Sequence, residues 1–216
     1  MEKAPVKAVL WDFGGVITTS PFDAFNAYEA TNGLEPGFIR RLNSTNPDTN
    51  AWARFERSEV SAAEFAALFE AEAEAAGGQV EAAILLASLR GQIRPAMVTA
   101  IRRCRDHAKT ALLTNNFIPP EARRSVPDTE GGYGAVIDLF DVVVESSKVG
   151  FRKPDPRFYE MALEMLAVDP TEAVFLDDLG VNLKPARALG IRTIKVVDPD
   201  QALADLEAIV GFPVRE

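Results

Sequence analysis

The chain has 216 residues, of which 47% are hydrophobic, and its formal net charge is −9 at pH 7. This length allows one sizeable core with a smaller second unit, and the acidic balance argues against nucleic-acid binding because phosphate backbones would be repelled. A single cysteine, Cys104, excludes an intrachain disulfide and a thiolate metal cluster.

The sequence contains no apolar run of the ~18 residues at which a membrane helix becomes plausible. Its first eleven residues, MEKAPVKAVLW, also lack a small-residue cleavage site of the secretory type. We therefore expect a cytoplasmic protein that binds neither membranes nor nucleic acids.

Five short apolar runs predict β-strands. Each run is nearly continuous rather than alternating, which is typical of strands that are buried on both faces of a parallel sheet. Helical patterns separate the later runs, and strands that alternate with helices predict an α/β fold with a doubly wound parallel sheet. The predicted strands are VKAVLW at 6–11, TALLT at 110–114, DVVVE at 141–145, AVFLD at 173–177 and RTIKVV at 192–197.

Residues 20–90 interrupt this alternation, because they contain several helical patterns and no convincing strand. Ser61 and Glu64 have the spacing of a capping box at the start of one of these helices. We predict a core domain formed by residues 1–19 and 91–216, and a small all-helical cap domain formed by residues 20–90. An insert placed directly after the first strand is expected to cover the end of that strand.

Polar side chains follow the predicted strands at the points where the strands end. Ligands bind at the carboxyl ends of the strands in open α/β sheets, so these side chains should converge on one edge. Each one alone has an ordinary explanation, such as a strand-end cap, a turn or a solvated lysine, but their order is much less ordinary. They are Asp12 after the first strand, Thr114, Asn115 and Asn116 after the second, Lys153 after the third, and Asp177, Asp178 and Asn182 after the fourth.

This set has the chemistry of a magnesium-dependent phosphoryl site. Asp12, Asp177 and Asp178 would bring three carboxylates together, and these need a counter-charge to stay ionised at close range. Mg²⁺ supplies that charge and prefers hard oxygen ligands. A threonine hydroxyl, backbone N–H groups and a lysine ammonium suit phosphoryl oxygens. Gly14 and Gly15 would let the backbone approach an ion or a ligand closely.

Four segments carry a resemblance to the haloacid dehalogenase superfamily that spans nearly the whole chain: WDFGGV, LLTNN, GFRKPDP and FLDDLGVN. The sequence around them most closely resembles the N-terminal phosphatase domain of soluble epoxide hydrolases and a related domain of acyl-CoA dehydrogenase fusions. The resemblance implies a Rossmann-like hydrolase core with a helical cap that closes over a small phosphorylated metabolite.

The resemblance also implies catalytic and substrate-binding roles. Asp12 would be the nucleophile that attacks phosphorus and forms an aspartyl-phosphate. Thr114 would hold a phosphoryl oxygen together with the backbone N–H of Asn115. Lys153 would neutralise the nucleophile and the charge that develops on the phosphoryl group.

A magnesium site is implied in the same way. Asp12, the Gly14 carbonyl and Asp178 would bind Mg²⁺ directly. Asp177 and Asn182 would act through metal-bound water or through hydrogen bonds to the direct ligands.

Position 14 departs from the pattern of the family's phosphatases. These enzymes usually carry a second aspartate two residues after the nucleophile, which protonates the leaving oxygen and then activates water. Gly14 stands there in this chain, although general acid–base help of this kind is worth about 10²–10⁴-fold. An acid from the cap, such as Asp23, Glu56 or Glu59, or a bound water would have to replace it.

Three functions stay open at this point. The first is a Mg²⁺-dependent phosphomonoester hydrolase, and the second is a haloacid dehalogenase-type hydrolase without a metal, because a halide leaves without a proton. The third is a phosphoryl-ligand binding module with little turnover. We rank the phosphatase first, because a metal-free enzyme would keep Asp177 and Asp178 close together at a cost. The sequence predicts neither the substrate's identity nor the oligomeric state.

Overall fold

The computed structural model of the chain describes residues 4–89, 91–115 and 132–215. Its strands form one five-stranded sheet in which every neighbouring pair is parallel. The strands are β1 (Ala8–Trp11), β2 (Lys109–Thr114), β3 (Val142–Glu145), β4 (Ala173–Asp177) and β5 (Arg192–Lys195). Their order across the sheet is β3-β2-β1-β4-β5, which confirms the predicted α/β fold with a parallel sheet.

Helices flank the sheet on both sides and also form the segment that follows β1. Those between β1 and β2 are α1 (Pro21–Asn32), α2 (Phe38–Ser44), α3 (Ala51–Glu56), α4 (Ala62–Ala75), α5 (Ala82–Ser88) and α6 (Pro95–Arg105). Those after β2 are α7 (Tyr133–Ile137), α8 (Ser146–Val149), α9 (Pro156–Leu166), α10 (Gly180–Ala188) and α11 (Pro199–Val210). Within the described ranges, no helix is long and apolar enough to cross a membrane.

The central strand β1 shows why the apolar runs are continuous. Successive side chains of a strand point to opposite faces of the sheet. Val9 and Trp11 pack into a cluster that includes residues of α6 and α11, whereas Ala8 and Leu10 pack against residues of α9 and α10. All four side chains are fully buried. The sheet is therefore covered on both faces, as the hydrophobic pattern predicted.

Helices α1 to α5 pack around a hydrophobic cluster of their own, which is rich in aromatic rings and is separate from the two clusters of the sheet. The predicted capping box begins α4. The Ser61 side chain accepts the Glu64 backbone N–H at 3.3 Å, and the Glu64 carboxylate accepts the Ser61 backbone N–H at 2.8 Å. We propose that these helices form a cap domain with boundaries near residues 20 and 90.

The chain enters and leaves this helical segment at adjacent points. Thr18 and Ile93 form an antiparallel bridge, and the Arg94 backbone N–H donates to the Ile17 carbonyl at 2.8 Å. Because Thr18 follows β1 closely, both connections lie near the end of β1, which is followed directly by Asp12. This arrangement keeps the helical segment beside the carboxyl edge of the sheet.

Candidate active site

The predicted site residues follow strands that are neighbours in the sheet. Asp12 comes directly after β1, Thr114 ends β2 and Asp177 ends β4. Trp11 is in register with Leu112 of β2 and with Leu176 of β4, so the three strands end at similar heights. The parallel register therefore brings these polar side chains to one edge, and all three are buried.

Lys153 links the first and the fourth strand through its ammonium group. Its Nζ lies 2.7 Å from Asp12 Oδ1 and 2.8 Å from Asp177 Oδ2. The residue is only 1% exposed, and a buried lysine is rare unless its charge is paired. Two carboxylates thus share one ammonium ion at the centre of the site.

The side chain of Asn115 fixes the backbone of Lys153. Its Nδ2 donates to the Lys153 carbonyl at 2.9 Å, and its Oδ1 accepts the Lys153 backbone N–H at 2.9 Å. The sequence indicated only the backbone N–H of Asn115 as a functional group, so this contact is new. Thr114 precedes it at the end of β2, and Asn116 lies outside the described residues.

Asp177 uses its carboxylate oxygens for hydrogen bonds inside the protein. Asn182 Nδ2 lies 3.1 Å from each of them, and the backbone N–H of Leu179 donates to Oδ1 at 2.8 Å. Tyr159 adds an outer contact, because its hydroxyl donates to the Asn182 carbonyl at 2.7 Å. Lys153 also donates to Oδ2, so both carboxylate oxygens of Asp177 already accept hydrogen bonds from the protein.

Asp178 lies against Gly15, which shows what the glycine pair does. A Cβ atom at position 15 would sit 2.3 Å from Asp178 Oδ2, so no larger residue fits without a shift. Gly15 also has a φ of +82°, a conformation that side chains other than glycine rarely adopt. The second glycine of the pair is therefore required both by its backbone and by the carboxylate beside it.

Three acids meet closely enough to hold a metal ion. Asp12, Asp177 and Asp178 each offer a carboxylate oxygen, and these oxygens lie within 4.8 Å of one another. Three negative charges face the single ammonium of Lys153. Hard oxygen donors with an excess of negative charge fit a cation such as Mg²⁺.

The electrostatics of the cluster agree with this excess. Burial raises the pKa of Asp12, and the charges of Asp177 and Asp178 raise it further. Lys153 lowers it, but the net result is a pKa of about 8. Burial and the charge of Asp177 raise the pKa of Asp178 to about 6. Burial lowers the pKa of Lys153, but Asp12 and Asp177 outweigh it and raise that pKa to about 12. The lysine is a permanent cation, and the acids need a further positive charge to be fully ionised.

Gly14 occupies a position at which a side chain would fit. Its φ of −74° and ψ of 126° are open to any residue, and among the described residues an added Cβ would meet only Pro21, at 3.6 Å. The missing aspartate is therefore a difference in sequence rather than a steric necessity.

The three acids that were candidates to replace the missing aspartate differ sharply in their surroundings. Asp23 is exposed in the first turn of α1, and Glu59 is exposed and paired with Arg57 at 2.6 Å. Glu56 is buried, and its Oε2 lies 2.7 Å from Nη1 of Arg152 in the core. Of the three, Glu56 is the one whose ion pair joins the helical segment to the loop of Lys153.

Comparisons with known proteins agree with this geometry. Residues 6–190 match the family model described as haloacid dehalogenase-like hydrolase. Acyl-CoA dehydrogenase family member 10 of Mus musculus is 37% identical over 97% of this chain, which corresponds to 20% of that protein. Bifunctional epoxide hydrolase 2 of Sus scrofa is 38% identical over 56% of this chain and 22% of that protein. The chain thus spans about a fifth of the length of these relatives.

A bacterial relative and a solved structure extend the comparison. Phosphatase MT3486 of Mycobacterium tuberculosis is 38% identical over 48% of this chain and 44% of that protein. The crystal structure of a HAD family enzyme of Bacteroides thetaiotaomicron, in complex with magnesium and inorganic phosphate, superposes with a TM-score of 0.60. It is 21% identical and covers 88% of this chain and 93% of its own, so it shows the fold. The predicted resemblance to epoxide hydrolase and acyl-CoA dehydrogenase relatives is confirmed.

Proposed function

We propose a phosphatase function for this chain, which belongs to the haloacid dehalogenase-like hydrolase family. The reaction is Mg²⁺-dependent hydrolysis of a small phosphomonoester through an aspartyl-phosphate on Asp12. The relative named as a phosphatase and the related fold in complex with magnesium and phosphate support this choice.

One observation carries the proposal. Lys153 is buried with its Nζ 2.7 Å from Asp12 and 2.8 Å from Asp177, while Asp178 completes a group of three acids. Three carboxylates and one ammonium leave an excess of two negative charges in a buried place. A divalent cation balances that excess, and a site with two kinds of cation is suited to the oxygens of a phosphoryl group.

The side chains of the chain have the following roles in the proposed reaction. A carboxylate oxygen of Asp12 attacks phosphorus, and the bond between phosphorus and the ester oxygen breaks. The ester oxygen leaves with the electron pair of that bond and takes up a proton from solvent. Lys153 screens the charge of the nucleophile and of the phosphoryl oxygens. Thr114 and the backbone N–H of Asn115 bind those oxygens. Water then cleaves the acyl-phosphate, which releases inorganic phosphate and regenerates Asp12.

Mg²⁺ would be held by Asp12, the Gly14 carbonyl and Asp178, where it would lower the electrostatic repulsion between the nucleophile and the phosphoryl group. Asp177 and Asn182 would support this site from the outside, since both are already engaged in hydrogen bonds with each other. Position 14 carries no carboxylic acid that could protonate the leaving oxygen. A substrate whose leaving group departs without a proton should therefore react best.

The test is phosphate release from p-nitrophenyl phosphate with Mg²⁺ and with excess EDTA. We expect activity that requires the metal and is lost in Asp12→Asn. Asp106→Asn is the matched control, because Asp106 is exposed at the end of α6, before β2 begins. Activity that survives both EDTA and Asp12→Asn would refute the proposal.

The glycine at position 14 leaves two alternatives to test beside the phosphatase. A dehalogenase needs no proton donor there, and it would release halide from 2-chloropropionate without a metal. A binding module would hold a phosphate mimic such as orthovanadate and release no phosphate from any substrate tested. The clustered acids argue against the first alternative, because without a metal the ammonium of Lys153 would face the three carboxylates of Asp12, Asp177 and Asp178.

A further inference from the structure

Arg152 connects the helical segment to the core at the edge of the candidate site. Its Nη1 donates to Glu56 Oε2 at 2.7 Å, and its Nη2 donates to the Pro47 carbonyl at 2.5 Å. Both acceptors belong to the segment between β1 and β2, whereas Arg152 belongs to the loop after α8. One guanidinium group therefore holds two points of the helical segment against the core.

Glu56 is fixed at its other oxygen. Its Oε1 accepts the indole N–H of Trp52 at 3.1 Å. Trp52 itself makes edge contacts with three rings of the cap cluster: Phe25, Phe65 and Phe69. The carboxylate that binds Arg152 is thus anchored, through Trp52, to the aromatic cluster of the helical segment.

The next residue after Arg152 is Lys153. Its backbone is clamped by the side chain of Asn115, and its ammonium lies between Asp12 and Asp177. An unbroken series of contacts therefore runs from the cap aromatic cluster through Glu56 and Arg152 to the nucleophile. Every link in it is a covalent neighbour or a hydrogen bond of 3.1 Å or less.

The surroundings of this ion pair set it apart from a surface pair. The side chains of Arg152 and Glu56 are 19% and 10% exposed, and charged hydrogen bonds removed from water are stronger than exposed ones. Burial raises the pKa of Glu56, against the effect of Arg152 and Trp52. By contrast, Arg57 pairs with Glu59 within the same segment, and that pair contacts no residue of the core in the hydrogen bonds described.

We propose that Glu56 and Arg152 are positioning residues, and that their contact holds Lys153 in place against Asp12 when the cap rests on the core. The inference rests on the proposed phosphatase function and concerns the same site. It assigns no chemistry to Glu56, whose two oxygens are occupied by Trp52 and Arg152. The cap thereby supplies part of the geometry of the catalytic lysine.

The experiment measures the single-turnover rate of aspartyl-phosphate formation from p-nitrophenyl phosphate with Mg²⁺. The enzyme is used in saturating excess over the substrate, because the rate constant then does not depend on the fraction of folded protein. The variants are Glu56→Gln, Arg152→Gln and their combination, with Arg152→Lys as the conservative change. Arg57→Gln is the matched control, because it removes an arginine from an ion pair that makes no hydrogen bond to the core among the described residues.

We expect each single variant to form the aspartyl-phosphate about tenfold more slowly, since a charged hydrogen bond is worth roughly a factor of ten or more. The double variant should be no slower than the slower single variant, because both changes break the same contact. In these variants KM should change less than about threefold. Arg152→Lys retains the positive charge and should recover part of the rate that Arg152→Gln loses. Arg57→Gln should react at the rate of the unaltered chain.

Two results would overturn the inference. Multiplicative losses in the double variant would mean that the two residues act separately. A loss in Glu56→Gln that is confined to phenyl phosphate, whose leaving group is poorer, would make Glu56 a proton donor instead. Either result leaves the phosphatase proposal intact, because that proposal is refuted by activity that survives both EDTA and Asp12→Asn, or by the absence of any phosphate release.

Discussion

Replacing Gly14 by aspartate is expected to add the proton donor that this chain lacks. The backbone permits the change, since φ is −74° and ψ is 126°, and an added Cβ would lie 3.6 Å from Pro21, an ordinary van der Waals distance. The loss of glycine freedom in the unfolded chain even stabilises the fold by about 0.4–1 kcal/mol. The opposing cost is one more carboxylate near Asp12 and Asp178, which Mg²⁺ offsets.

The size of the effect depends on the leaving group. General acid catalysis contributes about 10²–10⁴-fold when the leaving oxygen must be protonated. Nitrophenolate departs readily without a proton, whereas phenolate benefits more from one. We therefore expect kcat/KM for phenyl phosphate to rise at least about tenfold in Gly14→Asp, and kcat/KM for p-nitrophenyl phosphate to rise much less.

Two further variants separate the acid from the added bulk. Gly14→Asn has nearly the shape of aspartate but donates no acidic proton, so its phenyl phosphate activity should stay at the original level. Gly15→Ala should lose Mg²⁺-dependent activity, because its Cβ would lie 2.3 Å from Asp178 Oδ2 at a φ of +82°. A folded Gly14→Asp variant with no more phenyl phosphate activity than Gly14→Asn would refute the view that position 14 faces the leaving oxygen.

The other predictions concern stability. Lys153→Met should lower the free energy of unfolding by about 3–5 kcal/mol, measured by urea denaturation, because it leaves buried carboxylates without their cation; a loss below about 1 kcal/mol would contradict the pairing. The folded-state pKa values of Asp12 and Asp178 are raised to about 8 and about 6. The stability that these acids contribute is therefore present at pH 4 and is lost as pH rises through those values. Added Mg²⁺ should accordingly raise the Tm more at pH 8 than at pH 5, and an equal rise at both would count against metal binding by the ionised acids. Glu29→Ala should lower the free energy of unfolding by about 1–3 kcal/mol without changing the kcat of the folded enzyme. The reason is that the buried carboxylate of Glu29 accepts the backbone N–H groups of Gly37 and Ile39, at 2.6 and 2.8 Å. An unchanged midpoint of urea denaturation would contradict this role.

The apolar runs of the sequence predict the strands of the sheet to within two residues at each end. Local apolar runs indicate which segments form buried strands. The carboxyl ends of parallel strands lie at one edge of the sheet, so the apolar runs also predicted that Asp12 and Asp177 would converge. The roles of these residues stay a prediction, as do the limits of the cap domain. Asp23, Glu56 and Glu59 were equal candidates in the sequence, because exposure and ion pairing are not encoded in their spacing.

Local order along the chain thus determined the α/β class, the edge of the sheet that carries the polar residues and the family. The contacts of Lys153 with Asn115 and of Arg152 with Glu56 were decided only by the tertiary structure, since the latter two residues stand 96 positions apart. The physical reason is that hydrophobic periodicity is read along one strand or helix. A hydrogen bond between distant segments depends on distances and directions that exist only once those segments have packed.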